Sequence, residues 1–195
     1  MTDWLDRRPL IVAIAGPNGA GKSTFYNTYI RRTQLPFVNA DVLAASLEVD
    51  AYRAAGIAEE IRQTMYRARE SFAMETVFSD PAGDKLRFLQ EAAASGYHVV
   101  HLFIGVAGPG TSEDRVAMRV LQGGHDVPAA KLEERFPRTL ANLAGAIHTL
   151  PLVMVYDNDN LRNPYRLVAV FEKGGCTKVH KPLPPWLRSA ARGLL

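Results

Sequence analysis

Cysteine is almost absent from this sequence: Cys176 is the only one in 195 residues. That excludes an internal disulfide and any metal site built from paired thiolates, and it fits a reducing compartment; Cys176 reads as a filler in a C-terminal strand or turn. No stretch approaches the roughly 18 consecutive apolar residues of a membrane span. The opening MTDWLDRRPL carries acids and arginines with no apolar run of signal type. The chain therefore reads as soluble and cytoplasmic, with no membrane partner. Internal repeats and low-complexity linkers are also missing. The net charge is only +3, and bases are mixed with acids along the chain. Aromatic and basic residues do not interleave, so nucleic acid is not the expected partner, and a general attraction for anions is enough.

Apolar residues make up 47% of the chain, enough for a substantial core, and one domain over residues 1–195 is the expectation. Leu10 to Ala15 is a short continuous apolar run of the kind a strand buried on both faces needs. It leads into Gly16-Pro-Asn-Gly-Ala-Gly-Lys-Ser-Thr24, after which Phe25 to Arg32 has helical spacing. Further strands are predicted at Pro36 to Asp41, Ser71 to Phe78, Tyr97 to Val106, Leu152 to Tyr156 and Leu167 to Phe171. Helices are predicted at Asp50 to Glu70, Asp84 to Ser95, Ser112 to Gln122, Pro128 to Leu150 and Pro184 to Arg192. Gly123-Gly-His-Asp-Val127 separates two of them, its glycines suiting a helix end and Asp126 the next cap. Strands alternating with helices predict an α/β fold of three α/β/α layers, with a mainly parallel central sheet and ligands at the carboxyl ends of its strands.

The strongest chemical signal is G-x-x-x-x-G-K-S, occupied by Gly16, Gly21, Lys22 and Ser23 between a strand and a helix. Its glycines let backbone N–H groups turn inward around phosphate oxygens at the positive end of the next helix. Pro17, Asn18, Gly19, Ala20 and Thr24 complete the expected nucleotide cradle. Lys22 supplies a charge toward the β and γ phosphates, and Ser23 a hydroxyl to Mg²⁺; ATP is the expected nucleotide, with GTP allowed.

Acids at strand ends come next. Asp41 closes the predicted second strand, where it can take the proton of a substrate hydroxyl, although an N-cap is the plainer role for an Asp there. Glu75 lies in the otherwise apolar Phe72-Ala-Met-Glu-Thr-Val-Phe78, so something must pair with it, either substrate hydroxyls or an arginine. Asp157 resembles a strand-end acid for Mg²⁺. Arg115 and Arg119 share one helix face, and Arg135, Arg138 and Asn142 another, an arrangement suited to a helical lid over about residues 111–140. His125 beside the glycines is a further candidate for phosphate, and Asn158 for the border of the nucleotide base. A tail follows over about residues 159–195.

Taken together, the loop motif, Asn39-Ala-Asp41, Ser71-Phe-Ala-Met-Glu-Thr76, Gly96-Tyr97, Arg115-Val116, Arg119-Val120, Gly123-Gly-His-Asp-Val-Pro128 and Tyr156-Asp-Asn158 resemble the zeta toxin family, in particular its short bacterial branch. The resemblance spans roughly Leu10 to Asn158. It implies a P-loop kinase fold and ATP-dependent phosphorylation of a sugar nucleotide of the UDP-N-acetylglucosamine kind, with an antitoxin as protein partner. By position it makes Asp41 the general base and Lys22 and Ser23 the nucleotide and Mg²⁺ residues. It places Glu75, Thr76 and Arg115 toward the acceptor, and Arg119 with Arg135 or Arg138 as lid arginines. Two departures stand out: Glu75-Thr76-Val77 where the branch has Glu-Thr-Thr, and Pro137 inside the second arginine helix, where the 3.6-residue spacing need not hold. Rival readings are an NTP hydrolase or switch and a polynucleotide kinase. Against the first, the chain has no Leu-Ser-Gly-Gly-Gln signature and no glutamine evidently placed to orient water.

Overall fold

A computed structural model of the chain describes residues 3–121 and 127–195. The expected helix end and cap at Gly123 to Asp126, and His125 with them, lie outside the described residues. Seven strands form one sheet in the order β2-β3-β1-β4-β5-β6-β7. They are β1 (Leu10–Ala15), β2 (Phe37–Val38), β3 (Phe72–Thr76), β4 (His98–Gly105), β5 (Leu152–Asp157), β6 (Arg166–Glu172) and β7 (Gly175–Val179). The first five pair in parallel and the last two add on antiparallel, so the sheet is mainly parallel as expected.

The helices are α1 (Lys22–Phe25), α2 (Ala40–Leu47), α3 (Ala51–Arg67), α4 (Asp84–Ala94), α5 (Pro109–Leu121), α6 (Ala129–Thr149) and α7 (Pro185–Ala190). α1 does not continue regularly to Arg32: it widens into a π turn over Tyr26–Ile30 and tightens into a 3₁₀ turn at Arg31–Thr33. The sequence reading missed β7 and held α2 only as the alternative in which Asp41 caps a helix; the cap is Asn39, two residues earlier.

All six residues of β1 are fully buried because the strand has helices on both sides. Ile11, Ala13 and Ala15 face a core layer completed by α3, α4, α6 and α7, while Leu10, Val12 and Ile14 face Phe25 and Ile30 of the α1 segment. Each aliphatic side chain buried this way contributes about 1.5–3 kcal/mol relative to exposure. The loop at the end of β1 is thus anchored by the most deeply buried strand of the molecule.

His101 interrupts this apolar interior. It pairs in register with Ala13 and Val153, is 0% exposed, and has no hydrogen-bond partner for either ring nitrogen. Burial pulls its pKa down to about 3, so the folded protein keeps it neutral. The unfolded chain takes up a proton near pH 6.5, and the native state refuses it until far lower pH. Stability is therefore unaffected by this group above pH 6.5 and falls as pH drops below it, by up to about 1.4 kcal/mol per unit. Urea unfolding of His101→Leu at descending pH should show a shallower acid-side loss than the native chain, by about 2 kcal/mol over two pH units. Parallel curves would disprove it.

Candidate active site

The loop between β1 and α1 turns back over the carboxyl end of the sheet, and two glycines set its path. Gly16 takes φ 144°, and a Cβ there would stand 2.0 Å from the carbonyl oxygen of Ile104 on the neighbouring β4. Gly21 takes φ 86°, where a Cβ would lie 2.8 Å from both Asn158 Nδ2 and the Tyr165 hydroxyl. Lys22 is folded into the loop, 7% exposed, its Nζ donating to Pro17 O at 3.0 Å. Burial lowers its pKa from the ordinary lysine value; Glu75 and then Asp41 oppose that shift, and Arg119 adds to it. These four charges therefore share one electrostatic neighbourhood.

Glu75 reaches the site because β3 pairs with β1 and sets Glu75 opposite Ile14, two residues before the loop. Its carboxylate accepts from Ser23 Oγ at 3.0 and 3.3 Å and from Asn39 Nδ2 at 2.8 Å. The expected partner was an acceptor hydroxyl or an arginine. The folded chain supplies a serine and an asparagine instead, and so places Glu75 against Ser23, the hydroxyl expected to face Mg²⁺.

Asp41 does not close a strand. β2 stops at Val38, Asn39 caps α2 by accepting from the backbone N–H groups of Asp41 and Val42 at 2.8 and 3.3 Å, and Asp41 sits in the first helical turn. The cap is Asn39, so the Asp41 carboxylate is left exposed. Thr76 Oγ1 accepts from Phe78 N at 3.0 Å within its own turn.

The arginines separate. Arg119 on α5 bears on Lys22. Arg115, expected toward the acceptor, lies on the nucleotide-loop side: it packs against Gly19 and donates to Asp159 O at 3.0 Å. Arg138 forms an ion pair with Glu134 on its own helix. The carbonyl of Arg135 accepts from Thr139 Oγ1 at 3.0 Å. α6 runs unbroken through Pro137, and the same Thr139 hydroxyl is also 3.1 Å from Val77 O, tying this helix to the segment after β3.

Two further expectations change. Asp157 is held by Arg166 at 3.1 Å, because the antiparallel β6 sets the two residues opposite each other. Asn158, expected at the border of the base, spends its amide on the chain itself: it is 4% exposed, its Nδ2 donates to Ala20 O at 2.9 Å and its Oδ1 accepts from Tyr165 N at 3.2 Å. A cavity of about 290 Å³ lined by Asp157, Arg166, Trp186 and neighbouring prolines shares no residue with the loop. Among the described residues no group of three or more His, Cys, Asp or Glu could hold a metal ion. One carboxylate beside one hydroxyl at the loop, Glu75 and Ser23, is nonetheless a donor set that fits Mg²⁺, which keeps waters and takes its remaining oxygens from phosphates.

A mainly parallel sheet, a glycine loop with a buried lysine at the end of a central strand, and an acid and an arginine beside that lysine define a P-loop fold of the nucleotide-binding type. The family model described as Zeta toxin matches residues 38–166, and the chain belongs to that family. Among curated proteins, none matches this sequence. Solved structures share the fold at low identity. A crystal structure of AvrRxo1-ORF1:-ORF2 with ATP superposes with TM-score 0.69 and 17% identity, over 92% of this chain and 64% of the other. The chain thus spans less than two-thirds of that protein's length. A putative kinase from Chloroflexus aurantiacus gives 0.58 and 19%, over 80% and 92% of the two chains. A structure from the PezAT toxin-antitoxin system of Streptococcus pneumoniae gives 0.62 and 15%, over 84% and 72%.

Proposed function

We propose that this chain transfers the γ-phosphoryl group of ATP to a hydroxyl of a small molecule, with a sugar nucleotide of the UDP-N-acetylglucosamine kind as the leading acceptor. The observation that carries this reading is the buried Lys22 with Glu75, Asp41 and Arg119 around it. Backbone N–H groups of the loop, those of Gly21 and Lys22 among them, and the Lys22 ammonium hold the triphosphate. Asp41, charged and exposed, accepts the proton of the acceptor hydroxyl as its oxygen bonds to phosphorus. The bond from the γ-phosphorus to the β,γ-bridging oxygen breaks, and ADP leaves with that electron pair. Ser23 and Glu75 would hold Mg²⁺, which neutralises phosphate charge when bound. Arg119 stabilises the charge that develops on the transferring group.

The acceptor class follows the family resemblance, and family membership supports an antitoxin as the protein partner. No described helix is long and apolar enough to cross a membrane. The test is incubation with ATP, Mg²⁺ and a panel of sugar nucleotides, nucleosides and oligonucleotides. A gain of ~80 Da, one phosphoryl group, is expected on a sugar nucleotide. ADP release that is equal with and without every acceptor would instead make the protein a hydrolase.

A further inference from the structure

The segment joining β5 to β6 reaches back over the P-loop with two side chains. Asn158 Nδ2 donates to Ala20 O and the Tyr165 hydroxyl donates to Gly21 O, each at 2.9 Å. These carbonyls belong to consecutive peptide groups whose N–H groups are those of Gly21 and Lys22. In a trans peptide the C=O and N–H point opposite ways, so pulling both carbonyls outward aims both N–H groups toward the inside of the loop. A carbonyl that swung inward would set its negative end against phosphate.

Both side chains are themselves fixed. Asn158 N donates to Gly105 O at 2.9 Å at the end of β4, and its Oδ1 takes the N–H of Tyr165 at 3.2 Å. Tyr165 has φ 54°, a left-handed conformation unfavourable for a residue with a side chain and usually kept only where surrounding contacts over-determine it. Its ring meets Phe25 edge-on at 5.2 Å and Tyr29 at 5.8 Å. Burial raises its pKa, so the phenol stays protonated and remains a donor. Gly21 O also accepts the first helical bond of α1, from Phe25 N at 2.9 Å, so the phenol uses the second lone pair of an oxygen already fixed by the helix. On the other side of the same segment, Arg115 of α5 donates to Asp159 O.

We infer that Tyr165, backed by Asn158, is a positioning residue for nucleotide binding, holding the Gly21 and Lys22 peptides with their N–H groups toward the phosphates; this rests on the nucleotide reading above. The phenol acts through the loop backbone and does not touch the nucleoside. Titration calorimetry of Tyr165→Phe with MgATP and with Mg-tripolyphosphate tests it, because the second ligand has no nucleoside. Both dissociation constants should rise by the same factor, roughly tenfold for one lost hydrogen bond that fixes the loop. The melting temperature should fall by no more than about 4 °C. Tyr29→Phe, which keeps the ring contact and has no bond to the loop, should bind both ligands as the native chain does. A loss for ATP alone would make Tyr165 a nucleoside contact and overturn the inference, as would unchanged affinity for both. Native protein that binds neither ligand would instead remove the nucleotide reading itself.

Discussion

Asp41→Asn is expected to bind MgATP about as tightly as the native chain while its phosphoryl transfer falls by about 10²–10⁴-fold. The substitution keeps the shape of the side chain and removes its ability to take a proton. The local fold should tolerate it, because the helix start is capped by Asn39 through the backbone N–H of Asp41 and not through its carboxylate. The cost to α2 is that of one acid in a first turn, about 0.3–1 kcal/mol. Asp41 also raises the pKa of Lys22, so the variant lysine gives up its proton somewhat more readily. Binding should therefore be compared well below the ordinary lysine pKa, where the ammonium persists. Single-turnover transfer beside calorimetry separates the two effects, and unimpaired turnover would strip Asp41 of the base role.

Arg119→Ala should lower kcat by about 10²–10³-fold at saturating substrates, the usual loss for one group aimed at developing charge. Arg138→Ala should change it only a few-fold. The physical difference is what each guanidinium faces: Arg119 bears on Lys22, whereas Arg138 is engaged by Glu134 in a half-exposed pair worth at most about 1 kcal/mol. Removing Arg119 also removes a charge that depresses Lys22, so the lysine pKa should move up in that variant. Greater damage from Arg138→Ala than from Arg119→Ala would place Arg138, not its neighbour on α5, over the phosphates.

The centre of the fold was legible because its signals are local. Leu10 to Ala15 is apolar on both faces, and the glycine loop follows it directly. The elements that escaped have weak patterns. β7 is an edge strand, mostly exposed, so Gly175 to Val179 carries no alternation. α2 buries no residue completely, and its cap at Asn39 was read as the continuation of a strand. Partnerships across long separations were not legible. Glu75 meets Ser23 and Asn39, 52 and 36 positions away, only once β3 has inserted beside β1. Asp157 meets Arg166 because the sheet turns antiparallel there, and nothing in Tyr156-Asp-Asn158 announces that Asn158 will be consumed by the carbonyl of Ala20. Tyr165 gave no signal at all, since its role depends on a positive φ that the sequence does not advertise.

The contact between the first loop glycine and the backbone of β4 decides how a disabled enzyme ought to be made. Any side chain at position 16 would need the space held by the Ile104 carbonyl, so a dead variant made there would report a shifted sheet as readily as a missing anion contact. Lys22→Met lessens that confusion: it leaves every glycine in place, and Pro17 O, which loses the ammonium's bond, keeps the Ala20 N–H at 3.3 Å, so its silence reports the missing charge more than a displaced sheet.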